Sequence, residues 1–257
     1  MAGNVLIADI DLRTSAILLD VDGTLLDIAA TPRDVDVPAR LKRALAVLLE
    51  RTGGAVAFVS GRALDDIDLL FAPLRLATVS GHGAEMRVPG AVPEIRSIAP
   101  LPADLRRELV AVAAASEGVV LEDKGYSIAL HYRLARTHGD ELWDKVVRIC
   151  AANPTEVEVL PGKAVIEVKS PTINKGTGVR ELMRYPPFRG RRPIFIGDDV
   201  TDEAAFAVLP EFTGVGFSVG RAVPGLAGFF PGPSDVRRWL YQMAGEDVAA
   251  EEGVPRP

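Results

Sequence analysis

"SAILLDVDGTLLD" (Ser15–Asp27) sets four apolar residues, Ala16 to Leu19, ahead of two aspartates one residue apart, Asp20 and Asp22, followed by Gly23-Thr24. A short apolar run without alternation, closed by a turn signal, reads as a strand buried on both faces. Such a strand should not end on two like charges. Carboxylates this close repel, and each raises the other's pKa unless a positive group stands between them. The pair therefore marks a site, and the fold must bring it a counter-charge.

Working outward, the same pattern repeats. "VPARLKRALAVLLERTG" (37–53) has helical apolar spacing and stops at Gly53-Gly54. "AVAFVSGR" (55–62) is a second apolar strand, "ALDDIDLLFAPL" (63–74) a short helix and "LATVSGHG" (76–83) a third strand. Strand and helix in alternation predict a parallel sheet with helices on its faces. The rhythm breaks at the proline-rich connector 87–102. Helix 103–116, a hairpin over 118–134 turning at Asp123–Gly125, helix 139–153, and a second hairpin over 155–169 turning at Pro161-Gly162 then make a small α+β unit. The parallel rhythm resumes with helix 174–184, strand 192–199, helix 201–209, strand 212–220 and helix 233–244.

The expected fold class is α/β, a Rossmann-like parallel-sheet core with an inserted α+β cap. The core is expected over 1–101 and 170–245, the cap over 102–169, and a disordered tail over 246–257. Ligands of an open parallel sheet bind beyond the carboxyl ends of its strands. Asp20, Ser60 and Asp198 each close a predicted strand, so the fold alone draws them to one crevice.

Composition narrows the function. The 257 residues are 48% hydrophobic and 25% charged, with a net charge of -6. That gives no basic field for nucleic acid or an anionic membrane. No apolar run approaches about 20 residues, the length of a membrane span. Acids interrupt the apolar start, unlike a secretory leader. The single cysteine, Cys150, offers neither a disulfide nor a cysteine metal site. A cytoplasmic monomer is expected.

Asp20, Asp22 and Asp198, with Asp199 and Asp202 close by, carry too much negative charge for an empty crevice. A hard divalent cation with oxygen ligands resolves it, and few ligands with room for water and phosphate suit Mg2+. Gly23 and Gly61 let backbone N–H groups approach an anion, Thr24 and Ser60 supply hydroxyls, and Lys175 supplies a cation at a helix start. An attacking carboxylate, a metal and donors for phosphoryl oxygens are the parts of an aspartyl-phosphate mechanism.

"DVDGT" (20–24), "SGR" (60–62), Lys175 and "GDDVTD" (197–202) resemble, in order, the four motifs of the haloacid dehalogenase superfamily of phosphatases. "GDDVTDEAAF" (197–206), "SGHGAE" (80–85) and "LPGKAVIEVK" (160–169) with "NKG" (174–176) are similar to trehalose-6-phosphate phosphatases. The likeness covers about residues 15–240, with Val21 standing where that family often has tyrosine. It implies that Asp20 is the nucleophile, and that Asp22 protonates the leaving sugar oxygen and later activates water. It implies Mg2+ on Asp20, the backbone carbonyl of Asp22 and Asp198. Asp199 and Asp202 would orient metal waters and Lys175, and Ser60 and Lys175 would bind phosphoryl oxygens.

The cap bears on the substrate. Glu122 and Lys124 share one strand face, as do His131 and Arg133, and Lys163, Val165 and Glu167. These charges are either a solvated face or a polar lid over a sugar. The resemblance favours the lid and maps sugar contacts best onto Glu122, Lys124, Lys163 and Glu167, and less closely onto His131 and Arg133; Arg62 is expected at the substrate, and His82 reads either as loop structure or as a substrate contact. The expected substrate is trehalose 6-phosphate, a small-molecule sugar phosphate. The alternatives are another sugar-phosphate phosphatase or phosphomannomutase of the superfamily, and a catalytically silent domain that binds a sugar phosphate or a synthase.

Overall fold

The computed structural model describes residues 10–28, 35–90, 95–97, 100–162 and 164–246. The chain divides into two compact units, Met1–Arg96 with Asn174–Pro257, and Ser97–Ile173. The expected boundaries, after 101 and after 169, lie a few residues inside the second unit. Of the expected tail only Glu246 is described, and Lys163 also lies outside the described residues.

The first unit opens with β1 (Ser15–Leu19), α1 (Ala39–Arg51), β2 (Val56–Val59), α2 (Leu64–Phe71), β3 (Ala77–Ser80), β4 (Glu85–Arg87) and β5 (Ile95–Ser97). The second unit holds α3 (Ala103–Ala114), β6 (Val120–Asp123), β7 (Ser127–His131), α4 (Gly139–Ala152), β8 (Glu158–Gly162) and β9 (Val165–Lys169). The first unit resumes with α5 (Lys175–Leu182), β10 (Arg192–Gly197), α6 (Glu203–Val208), β11 (Val215–Val219), β12 (Gly228–Phe230) and α7 (Pro233–Ala244).

The large sheet runs β12-β11-β10-β1-β2-β3-β4-β5. Strands β12 to β3 in this order pair in parallel, and β4 turns back antiparallel to β3. All five residues of β1 are buried. Ile17 and Leu19 pack into one apolar cluster with Leu41, Leu45, Phe71 and Leu240 from α1, α2 and α7. Ala16 and Leu18, on the opposite face, pack with Val179, Leu182, Ala205 and Val208 from α5 and α6. This two-sided cover is why the strand reads as a continuous apolar run. Each large side chain buried there contributes about 1.5–3 kcal/mol.

The chain leaves β1 toward β2 and β3 on one side and later builds β10, β11 and β12 on the other. The switch point of the sheet therefore lies beside β1, where such sheets bind ligands. Three adjacent strand ends, β2, β1 and β10, deliver Ser60, Asp20 and Asp198 there.

In the second unit, the sheet order is β6-β7-β9-β8, all antiparallel. Ile128, Leu130, Ile166 and Val168 pack against Leu105, Leu109, Leu142 and Val146 of α3 and α4. Glu122, Ala129 and Glu167 stand side by side in the ladder, on the face turned from those helices. One expectation is corrected. Pro161 and Gly162 are strand residues, opposite Ile166 and Val165, and the reversal falls beyond Gly162, where Ala164 takes φ 62°. Strand β8 is an edge, so the N–H that proline lacks costs no essential ladder bond.

Candidate active site

Asp20 follows β1 directly and is buried. Its backbone N–H continues the sheet by donating to the Ile196 carbonyl at 2.9 Å. Lys175 Nζ lies 2.7 Å from Asp20 Oδ1 and 2.7 Å from Asp202 Oδ1. Lys175 is the first residue of α5, whose cap is Asn174. The Asn174 side chain accepts from Thr177 N, and Thr177 Oγ1 accepts from Asn174 N, a reciprocal capping box that fixes the helix start. Asp202 is fully buried, and its other oxygen, Oδ2, accepts from the N–H groups of Asp198 and Asp199 at 2.9 and 3.0 Å. Both Asp202 oxygens are thus committed to building the loop and holding Lys175. Asp199 accepts from Val200 N at 2.6 Å.

Asp20, Asp198 and Asp202 each offer a carboxylate oxygen, all within 4.8 Å of one another. Burial, then the charge and hydrogen bond of Asp20, push Asp198 up to about 7. Burial and Asp20 push Asp202 up to about 6, against the pull of Lys175. Burial alone would lower Lys175, but Asp20 and Asp202 outweigh it and hold the ammonium above its ordinary value. Three carboxylates facing one ammonium leave excess negative charge in low dielectric. That donor set fits a hard divalent cation.

Gly23 has φ +79°, and a Cβ there would lie 2.0 Å from Asp198 Oδ2. Only glycine admits both the left-handed backbone and the close approach of β10's acid. Thr24, expected to offer its hydroxyl to phosphate, is buried, and its Oγ1 donates to Asp198 Oδ1 at 3.3 Å. The loop is further braced by Arg237 of α7, which donates to the Leu25 carbonyl at 2.8 Å. Sequence reading missed that brace, because nothing local to α7 distinguishes Arg237 from a surface arginine.

Ser60 Oγ accepts from the Arg62 backbone N–H at 3.2 Å. This leaves the hydroxyl proton for an incoming acceptor. Arg62, expected at the substrate, grips Asp22 in this structure. Its Nε donates to Asp22 Oδ2 and its Nη2 to Asp22 Oδ1, each at 2.6 Å. The Asp22 side chain is therefore turned to Arg62 and is not among the clustered carboxylates. His82 sits between Gly81 and Gly83 in a run of three residues with positive φ (54°, 57° and 105°). A Cβ on Gly61 would lie 2.3 Å from the His82 ring, so the space that this glycine frees is filled by the imidazole.

In the second unit, Glu122 meets His131 Nε2 at 2.9 Å and Lys124 Nζ at 3.7 Å, while Glu167 accepts from Ser127 Oγ at 2.9 Å. The structure thus brings together Asp20, Lys175, Asp198 and Asp202, joins Asp22 to Arg62, and groups Glu122 with Lys124 and His131.

The family described as trehalose-phosphatase matches residues 18–225. The chain belongs to the trehalose-phosphatase family. It is 42% identical over 215 residues to a probable trehalose-phosphate phosphatase of Sinorhizobium fredii, covering 83% of this chain and 81% of that one. It is 35% identical over 225 residues to trehalose-6-phosphate phosphatase of Escherichia coli, covering 87% and 84%. The C-terminal domain of C. albicans trehalose-6-phosphate phosphatase superposes with a TM-score of 0.73 at 24% identity, over 91% of this chain and 93% of that one. The α/β fold is shared with phosphatases of the haloacid dehalogenase superfamily.

Proposed function

We propose that this family member hydrolyses trehalose 6-phosphate to trehalose and phosphate through an aspartyl-phosphate on Asp20. The carrying observation is Asp20 itself, buried at a strand end, 2.7 Å from Lys175, with Asp198 and Ser60 delivered by the flanking strands. An Asp20 oxygen attacks phosphorus, and the bond from phosphorus to the sugar oxygen breaks. Asp22 gives that oxygen its proton. Water then attacks the phosphorus of the acyl phosphate and loses a proton to Asp22, so phosphate leaves and Asp20 returns.

Mg2+, held by Asp20, the Asp22 backbone carbonyl and Asp198, would lower charge repulsion at phosphorus. An ammonium has three donor directions. Asp20 and Asp202 take two at Lys175, and the third serves a phosphoryl oxygen, together with the Ser60 hydroxyl and the backbone of Gly23, Thr24 and Gly61. Asp202 and Asp199 shape the loop that presents Asp198.

The polar face of the second unit, Glu122, Lys124, His131 and Glu167, is our candidate for recognising the sugar by charge-assisted hydrogen bonds, and Lys163 stays a candidate on its sequence alone. Among the described residues no helix is long and apolar enough to cross a membrane, in keeping with a cytoplasmic enzyme acting on a small molecule.

The test is phosphate release from a panel of sugar phosphates with Mg2+. Trehalose 6-phosphate should have the highest kcat/KM by at least about tenfold, the value of one charged hydrogen bond. Preference for sucrose 6-phosphate or a hexose phosphate would move the chain to another specificity. No turnover of any substrate would make it a binding domain.

A further inference from the structure

The bidentate contact between Arg62 and Asp22 is built, not incidental. The Arg62 side chain is nearly enclosed, about 10% exposed, whereas Asp22 is 38% exposed. A half-exposed carboxylate on a loop has freedom to rotate. The planar guanidinium fork removes it by fixing both oxygens at once.

The arginine's own loop is fixed in turn. The Arg62 carbonyl accepts from Gly81 N at 2.9 Å, the Ser60 carbonyl accepts from His82 N at 3.0 Å, and the His82 ring fills the space beside Gly61. A non-glycine residue at φ 57° costs energy, and such strain persists only where surroundings impose it. Here the strained turn supports the loop that carries Arg62.

We infer that Arg62 is a positioning residue for Asp22: it aims the carboxylate that exchanges protons with the leaving oxygen and with water. This deepens the reading above and rests on it. It also replaces the expected role of Arg62 as a direct substrate contact. A group held in this way need not touch the phosphoryl oxygens. Its removal should therefore damage the proton-transfer steps and spare both substrate binding and steps that need no proton.

The experiment is a double-mutant cycle in Mg2+ buffer, with Arg62→Lys and Arg62→Gln made in wild type and in Asp22→Asn. Lysine keeps the charge but cannot fork. Three readouts are taken: kcat and KM on trehalose 6-phosphate, the pre-steady-state burst of p-nitrophenol from p-nitrophenyl phosphate, and decay of the phosphoenzyme after the burst. General acid–base catalysis contributes roughly 10²–10⁴-fold.

With Asp22 present, each Arg62 variant should lower kcat on trehalose 6-phosphate by about ten- to a hundredfold. KM and inhibition by inorganic phosphate should stay within about threefold. The burst should keep its rate, because this leaving group needs no proton, and decay should slow. In Asp22→Asn, neither Arg62 variant should slow decay by more than about twofold, because a residue acting through Asp22 has nothing left to aim.

Slower decay of the same size in both backgrounds, a slower burst, or raised KM and weakened phosphate inhibition would overturn the inference and return Arg62 to the substrate. A matching loss in all readouts with a lowered melting temperature would make it a brace for the fold. Wild-type turnover in Asp22→Asn alone would remove the reading of Asp22 itself. Residual turnover in Asp22→Asn that falls a further tenfold or so on adding Arg62→Lys would overturn the inference and leave the reading of Asp22 standing.

Discussion

Lys175 stands between two carboxylates at equal distance, so none of the three can be changed alone without stranding the others. Asp202 shows this most clearly, since its oxygens satisfy one ammonium and two backbone N–H groups. Asparagine keeps only one carbonyl oxygen for these three donors. Breaking a buried pair by removing one partner costs about 3–5 kcal/mol. Asp202→Asn should therefore lower stability in urea by about that amount, and a change within 0.5 kcal/mol would contradict the arrangement.

Asp198 makes the complementary prediction. Its pKa, about 7, lies above its ordinary 3.8, so it favours the folded state below the lower value and loses that contribution as pH rises through about 7. A cation bound to the same carboxylate would replace the proton. Adding Mg2+ should therefore raise the melting temperature more at about pH 8 than at about pH 5, and equal shifts would count against a metal bound there.

The start of α5 is where local structure and chemistry meet. Asn174 caps the helix whose first residue is Lys175. Asn174→Ala should cost about 0.5–2 kcal/mol of stability. It should also lower kcat, because the ammonium is aimed from that first turn; full activity would separate the cap from the site. Gly61→Ala should be damaging for a different reason, since the new methyl group would collide with the His82 ring. Strands β1, β2, β3, β10 and β11 were legible because burial on both faces writes a continuous apolar run. Strands β4, β5 and β12, three residues each, were not, because so short a strand leaves no period to read. Three of the four motifs marked the strand ends that carry Asp20, Ser60 and Asp198, and the other marked the helix start that carries Lys175. The partner of Arg62 could not be read, because 40 residues separate it from Asp22 and only the sheet order joins them. The strained His82 was equally hidden, since positive φ at a non-glycine residue has no sequence signal.

One unit of the chain holds the buried acids at the end of a mostly parallel sheet, and the α+β unit carries a polar sheet face. If that face recognises the sugar, Glu122→Ala with Glu167→Ala should cut kcat/KM on trehalose 6-phosphate by orders of magnitude, at about 1.5–3 kcal/mol for each charged hydrogen bond. Hydrolysis of p-nitrophenyl phosphate, which has no sugar hydroxyls, should be unchanged. Equal losses on both substrates would instead make these glutamates part of the fold. The covalent step proposed on Asp20 underlies the kinetic predictions. It is tested most directly by acid-quenching Asp22→Asn after mixing with p-nitrophenyl phosphate and Mg2+, then locating the modified peptide by mass spectrometry. One added phosphoryl group is expected on Asp20, absent when Asp20→Asn is also introduced. A phosphoryl group on another residue, or turnover that persists in Asp20→Asn, would contradict it.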